Sequence, residues 1–266
     1  MCQRTPHRAI LLVAFLLVSG CASLPAEFTA PIVAPRPCEK CHALVLVADG
    51  AGNFRAASTS LAQVVDEAHA PLCVQPFIWS HGYLRIVADQ TGHDHIRCQG
   101  KDLARLISTY KEQHPETPIY LVAHSAGTGV VLNAAESLPP ESIERIILLA
   151  PAVSCTRDLR GALTASRLGV DVFYSYADWW YLGMAVTLVG TSDRHWSAAA
   201  GRVGFQPLIC CPEDGLLYEK LRQYPWDENL SWTGHKGGHY GAYQPGFLKL
   251  CVLPLLGAAD EPPPDR

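Results

Sequence analysis

The sequence predicts an α/β domain, a mostly parallel central sheet of about six strands with helices on both faces. Three observations predict it. Ala43-Leu-Val-Leu-Val-Ala48 and Ile119 to Ala123 are continuous apolar runs, the pattern of strands buried on both faces in a parallel sheet. Such runs alternate along the chain with segments that are apolar at helical spacing, which implies βαβ units. With 266 residues, 48% of them hydrophobic, the chain can also bury the sizeable core that such a domain needs.

Taken in order, the first strand, Ala43 to Ala48, ends in Asp49-Gly50-Ala51-Gly52. Leu61, Val64, Val65 and Ala68 then recur at helical spacing, with Ser60 and Gln63 placed as a capping box. Val74 to Trp79 reads as the second strand. Leu103, Leu106, Ile107 and Tyr110 mark a second amphipathic helix, stopped by Pro115. Ile119 to Ala123 is the third strand, and Ala126 to Leu138 the helix after it, closed by Pro139-Pro140. Ile143 to Leu149 and Val170 to Tyr176 are the fourth and fifth strands. Beyond them the patterning is weak until Leu230 to Thr233, the last strand expected. The closing helix is Phe247 to Leu256, kinked or cut short at Pro254. There is no internal repeat.

Residues 1–20 read as a signal peptide and not as part of the fold. Arg4, His7 and Arg8 precede ten apolar residues, Ala9 to Val18, which are too few to span a bilayer, and small residues follow. Leu17-Val18-Ser19-Gly20-Cys21 resembles the bacterial lipobox, which implies export, acylation of Cys21 and a membrane-anchored lipoprotein facing the periplasm or cell surface. Residues 21–42, with Pro25, Pro31, Pro35 and Pro37, form a Pro-rich tether; residues 43–257 form the folded domain and 258–266 a polar tail.

Removing residues 1–20 takes away two of the 21 Lys+Arg and none of the 25 Asp+Glu, so 19 basic groups face 25 acidic ones, a net charge of −6. With no basic run and no interleaving of aromatic and basic residues, nothing points to nucleic acid. Eight cysteines remain once Cys2 and Cys21 are set aside. Export implies that some of them pair in disulfides, but no pairing follows from sequence.

The most informative stretch is Pro118 to Gly129. A buried strand stops at a serine packed between small residues, and a helix starts at once: Ala123-His124-Ser125-Ala126-Gly127. Strand, tight turn with a serine, then helix is the setting of the nucleophile elbow, G-x-S-x-G, here with Ala in the first Gly position. The demand is steric. The two backbones approach closely at a strained turn, so only small side chains fit two residues either side of the serine.

On this elbow and the strand–helix alternation, residues 43–257 resemble the α/β-hydrolase superfamily in its compact form, and within it the lipase- and esterase-like serine hydrolases. The resemblance implies the chain order Ser…Asp/Glu…His. It puts the acid after the next strand but one, where Asp178 stands, with Asp193 the alternative. The base belongs between the last strand and the last helix, in Gly234-His-Lys-Gly-Gly-His-Tyr-Gly241. That loop offers two histidines, and spacing does not choose between them. The family's G-H-[FY] ahead of a helix-opening Pro resembles Gly238-His239-Tyr240…Pro245, which favours His239 and leaves His235 to order the loop. Ala126 N–H and Ala51 N–H would form the oxyanion hole, with Gly50 giving Ala51 room to turn and Gly127 keeping the elbow tight. Asp49 stands where the family has His, a change that leaves the backbone donor intact.

Four other features carry alternatives. Cys38-x-x-Cys41-His42 fits c-type haem attachment, although Met184 is the only methionine left after the signal. His93-Asp94-His95 could suggest a metal but reads as a solvated turn on an extended loop, so no metal or other cofactor is expected. Trp79-Ser80-His81-Gly82 is a rival His-Gly pair that reads as an ordinary loop. Tyr174, Tyr176, Trp179, Trp180 and Tyr181 could line an acyl pocket or pack in the core. The expected function is hydrolysis of a small-molecule or lipid ester through Ser125, His239 and Asp178. The alternatives are a catalytically silent binding module of the same fold and a haem protein.

Overall fold

The computed structural model describes residues 41–178 and 198–257. Its strands are β1 Ala43–Ala48, β2 Leu72–Pro76, β3 Ile119–His124, β4 Arg145–Leu149, β5 Val170–Tyr174 and β6 Leu221–Pro225. They form one sheet in the order β2-β1-β3-β4-β5-β6, with every pairing parallel. The main helices are α1 Ala56–Glu67, α2 Ile86–Thr91, α3 His93–Gln113, α4 Gly127–Ala135 and α5 Arg160–Ala165. This is the parallel α/β architecture that the apolar runs predict.

All six residues of β1 and of β3 are buried, because both faces of the sheet are covered. Leu44, Leu46, Leu121 and Leu148 point to one face and pack with Leu103 and Ile107 of α3 and Val130 and Val131 of α4. Val45, Val47, Val122 and Ile147 point to the other and pack with Leu61 and Val64 of α1 and with Phe247 and Leu248 near the C-terminus. Each fully buried Leu, Ile or Val contributes about 1.5–3 kcal/mol of transfer free energy. Leu44 pairs with Ile119 across β1 and β3, and a slip of one residue from that register would exchange the two faces, so the register is strongly specified.

The sheet order also decides where a site can form. β1 has β2 on one side and β3 on the other. The chain leaving β1 enters α1 on one face, whereas the chain leaving β3 enters α4 on the opposite face. The two loops part at the carboxyl ends of these strands and leave a crevice between them, the switch point of an open α/β sheet.

Several elements differ from the sequence expectation. α1 begins four residues before Ser60, so the expected capping box lies inside the helix; Gln63 instead donates to Glu67 at 2.8 Å. The helix start is held from outside, by Asp49 Oδ1 accepting from Ala57 N–H at 2.8 Å and Ser58 N–H at 3.1 Å. β2 ends at Pro76, and Trp79 turns into the core instead of extending the strand. α3 starts at His93, so His93-Asp94-His95 is the first turn of a helix and not an extended loop.

The last strand is β6, not Leu230 to Thr233, which belongs to a 3₁₀ helix, Glu228–Thr233, capped by Asp227. β6 is a half-exposed edge strand, and its Arg222 and Gln223 blunt the apolar signal. The helix at the C-terminus changes pitch along its length, from α over Pro245–Phe247 through π over Leu248–Val252 to 3₁₀ over Leu253–Leu256, with Pro254 in the tightened turn. No disulfide links any two of the described cysteines. Among the described residues no helix is long and apolar enough to cross a membrane. The signal, the Cys21 lipobox, the tether up to residue 40, the tail, Cys38, Met184, Asp193 and Trp179 to Tyr181 lie outside the described residues.

Candidate active site

Ser125 sits in the crevice, on the turn between β3 and α4, with φ 52°. That is the left-handed region, costly for a residue with a Cβ, and it persists because the surroundings fix the turn. Ser125 N–H donates to Leu149 O at 3.0 Å, and Ser125 O accepts from Ala152 N–H at 3.2 Å. Gly127 meets the steric demand on the other side: a Cβ there would lie 2.3 Å from Ala48 O and 2.5 Å from Asp49 O. A Cβ on Gly50 would meet the His124 ring at 2.9 Å and Ser125 Cβ at 3.3 Å.

His239 Nε2 lies 2.9 Å from Ser125 Oγ, and His239 Nδ1 lies 2.7 Å from Asp178 Oδ2. An ionised carboxylate only accepts, so Nδ1 carries the ring proton and Nε2 is left to accept the serine hydroxyl. Asp178 and His239 are both buried, and Ser125 is 8% exposed at the floor of a cleft. The cleft, about 190 Å³, is walled by Phe54, Ile86, Val87, Tyr240 and Tyr243, with Arg55 and Gln90 among its polar lining.

The loops that carry Asp178 and His239 are tied to each other. Ser175, at the end of β5, donates to Gly237 O at 2.6 Å, and Asp178 N–H donates to Ser175 O at 3.1 Å. His235 organises the histidine loop from inside: its Nδ1 accepts from Gly237 N–H at 3.1 Å and its carbonyl accepts from Trp226 Nε1 at 2.8 Å. It also packs edge-on against Phe247. Burial pushes its pKa down to about 4 despite Asp178 nearby, so it stays neutral. The structure thus brings together Ser125, Asp178 and His239 and leaves His235 behind the loop.

The two expected oxyanion donors flank the serine. Ala51 follows Gly50 in the loop after β1, and Ala126 caps the start of α4. Among the described residues neither backbone N–H donates to another backbone group. Asp49 is buried with its Oδ1 committed to the start of α1, and burial raises its pKa even though Ser58, Ala57 and Arg55 oppose this.

Sequence reasoning gave no role to His124, although it stands inside the elbow. It is buried, its Nε2 donates to His239 O at 3.2 Å, and its ring lies 4.9 Å from that of His239. Burial first, and the neighbouring His239 second, push its pKa down to about 3. A neutral His124 therefore backs the loop of His239 without adding charge. Only its position next to Ser125 could have pointed to it. In the loop after β2, Trp79 Nε1 donates to Asp49 O at 2.8 Å, beneath the loop after β1.

The remaining candidates lie apart from this cluster. Tyr174 lines a separate cavity of about 320 Å³ with Phe173, Tyr224, Trp226 and Phe247, and Tyr176 is 61% exposed; neither lines the cleft of Ser125. Cys41 and His42 lead into β1, with His42 N–H on Pro71 O. Among the described residues no group of three or more His, Cys, Asp or Glu side chains is arranged to hold a metal ion.

Residues 86–200 match the model of a family described as serine aminopeptidase, S33. That segment holds the elbow and Asp178 but neither the loop after β1 nor the histidine loop. The fold is similar to a putative hydrolase of the alpha/beta superfamily from Xanthomonas campestris, at 13% identity over 78% of this chain and 97% of that one, with a TM-score of 0.40. It is similar also to a cutinase-like protein from Cryptococcus sp. (14% identity, 82% and 97% of the two chains, TM-score 0.40). A third is the catalytic core of acetyl xylan esterase from Trichoderma reesei (12%, 77% and 100%, TM-score 0.41). No curated protein matches the sequence. Function has to be argued from the site itself.

Proposed function

We propose that this chain is an exported, lipid-anchored serine hydrolase that cleaves carboxylic esters by acyl transfer to Ser125. The observation that carries the reading is the hydrogen-bonded series Ser125–His239–Asp178, at 2.9 and 2.7 Å, on the floor of an apolar cleft. Ser125 Oγ attacks the ester carbonyl as His239 Nε2 takes its proton, and Asp178 stabilises the imidazolium that forms. The N–H groups of Ala51 and Ala126 hold the oxyanion of the tetrahedral intermediate. As it collapses, His239 returns the proton to the leaving alkoxide. Water, activated by His239 in the same way, then releases the acid from the acyl-serine. No cofactor enters these steps.

An ester fits the cleft better than the amino-terminal peptide named by the matching family. Holding an α-ammonium group calls for a carboxylate facing the substrate. Among the described residues the one acid in the cleft wall is Asp49, and it is engaged by the start of α1. Ser125→Ala is expected to abolish both turnover of p-nitrophenyl esters and labelling by a fluorophosphonate, with the fold intact. A variant that keeps most of its activity would remove Ser125 from the mechanism, and a wild type that neither labels nor turns over would mark a silent binding module.

The anchor rests on the lipobox-like Leu17-Val-Ser-Gly-Cys21. The mature protein from membranes is expected to begin at an acylated Cys21 by mass spectrometry, and Cys21→Ser to leave unprocessed or unlipidated chain. Any other mature N-terminus would refute the anchor and leave the esterase reading untouched.

A further inference from the structure

Asp89 lies on α2, and its side chain is completely buried. A carboxylate at that depth is tolerated only if it is fully hydrogen-bonded. It accepts from Gly52 N–H at 2.7 Å, Ser80 Oγ at 2.5 Å, His81 N–H at 2.8 Å and His81 Nδ1 at 2.9 Å. Burial works against its ionisation, yet these bonds outweigh it and hold the carboxyl below its ordinary pKa. Three of the four partners belong to the loop after β2. The fourth, Gly52, is the residue that follows Ala51.

Gly52 is held at its other end as well, because its carbonyl accepts from Leu84 N–H at 3.1 Å. Trp79 Nε1, on Asp49 O, pins the near end of the same short loop. The four residues Asp49 to Gly52 are therefore clamped at both ends by the segment from Trp79 to Asp89. Ile86 and Val87 of that segment also wall the cleft. Hydrogen bonds to an ionised acceptor are about twice as strong as neutral ones, so the bond from Gly52 to Asp89 is the strongest of these ties.

We propose that Asp89 is a positioning residue for ester hydrolysis: by clamping Gly52 it fixes the direction of the Ala51 N–H that receives the oxyanion. The assignment rests on the reading of Ser125 as nucleophile. A donor that is misaimed stabilises the transition state less and leaves ground-state binding nearly unchanged.

The test compares wild type, Ser125→Ala and Asp89→Ala in ester turnover and in inhibition by an alkylboronic acid, which forms a tetrahedral adduct on an active serine. Asp89→Ala is expected to lose about 10²-fold in kcat with KM within about threefold, since loss of one oxyanion donor costs 10²–10³-fold. Boronate affinity should fall by the same factor as kcat/KM, whereas a purely structural role would lower the active fraction without changing affinity. Amide exchange should accelerate at Ala51 and Gly52 and not in β3. Should Asp89→Ala fail to fold, the isosteric Asp89→Asn is measured in the same way, with about a tenfold loss expected. Wild-type kcat and boronate affinity in the folded variant, with Ser125→Ala inactive, would overturn the Asp89 assignment alone. Undiminished turnover by Ser125→Ala would overturn the nucleophile and this proposal with it.

Discussion

His239 and His235 stand four residues apart in one Gly-rich loop, and their environments divide the work between them. His239 reaches Ser125 and Asp178, while His235 turns inward to Gly237 N–H and Phe247. His239→Ala is expected to lose at least about 10²-fold in kcat and to approach the inactivity of Ser125→Ala. His235→Asn, which keeps an acceptor near Gly237, should stay within about tenfold of wild type, because its loss disturbs loop order and not proton transfer. The reverse ranking in ester assays would move the base to His235. The same variant has a pH signature. His235 titrates near 4 in the fold against an ordinary 6.5, so unfolding takes up a proton between those values. Its contribution to stability is complete above pH 6.5 and is lost as pH falls toward 4. Thermal midpoints of His235→Asn should decline less over that window, and equal slopes would show that the buried imidazole is not the source.

Among elements, the β3–α4 elbow is where sequence and structure agree in physical detail. Small residues around Ser125 imply a close approach, and the structure puts the α4 backbone against the end of β1, with no space for a Cβ on Gly127. Gly127→Ala must therefore push α4 away from two carbonyl oxygens, an overpacking expected to cost about 3 kcal/mol. For a domain of this size that lowers the thermal midpoint by about 10 °C. Activity should fall too, because Ser125 moves with the turn. A wild-type midpoint and rate for Gly127→Ala would contradict the tight approach. The elements that sequence placed poorly share a cause. β6 is an edge strand whose Arg222 pairs with the buried Asp171, so polar residues occupy positions where a central strand would show Val or Ile. α1 lacks a local cap signal because Asp49, eight residues before Ala57, supplies the acceptor.

Over the whole molecule, the sheet order does what no single motif can. It sets the loops after β1 and β3 side by side, and β5 near enough for its following turn to meet the histidine loop, so that residues 61 and 114 positions from His239 become its hydrogen-bond partners. The apolar runs, the helical spacing and the small-residue elbow were readable by themselves because each is local: burial on two faces, a 3.6-residue period and a tight turn leave their mark within a few residues. Those features determined the parallel α/β class and marked Ser125, and the family resemblance pointed from there to the loops that hold Asp178 and His239. Tertiary structure supplied the physical separation of His239 from His235 that spacing could not give and the family resemblance only favoured, because a ring's direction depends on what fills the space behind it. It alone revealed the neutral His124, the capping by Asp49 and the clamp from Asp89 to Gly52. Each of these joins segments far apart in sequence through buried polar groups, whose partners are chosen by distance and desolvation and not by any pattern along the chain.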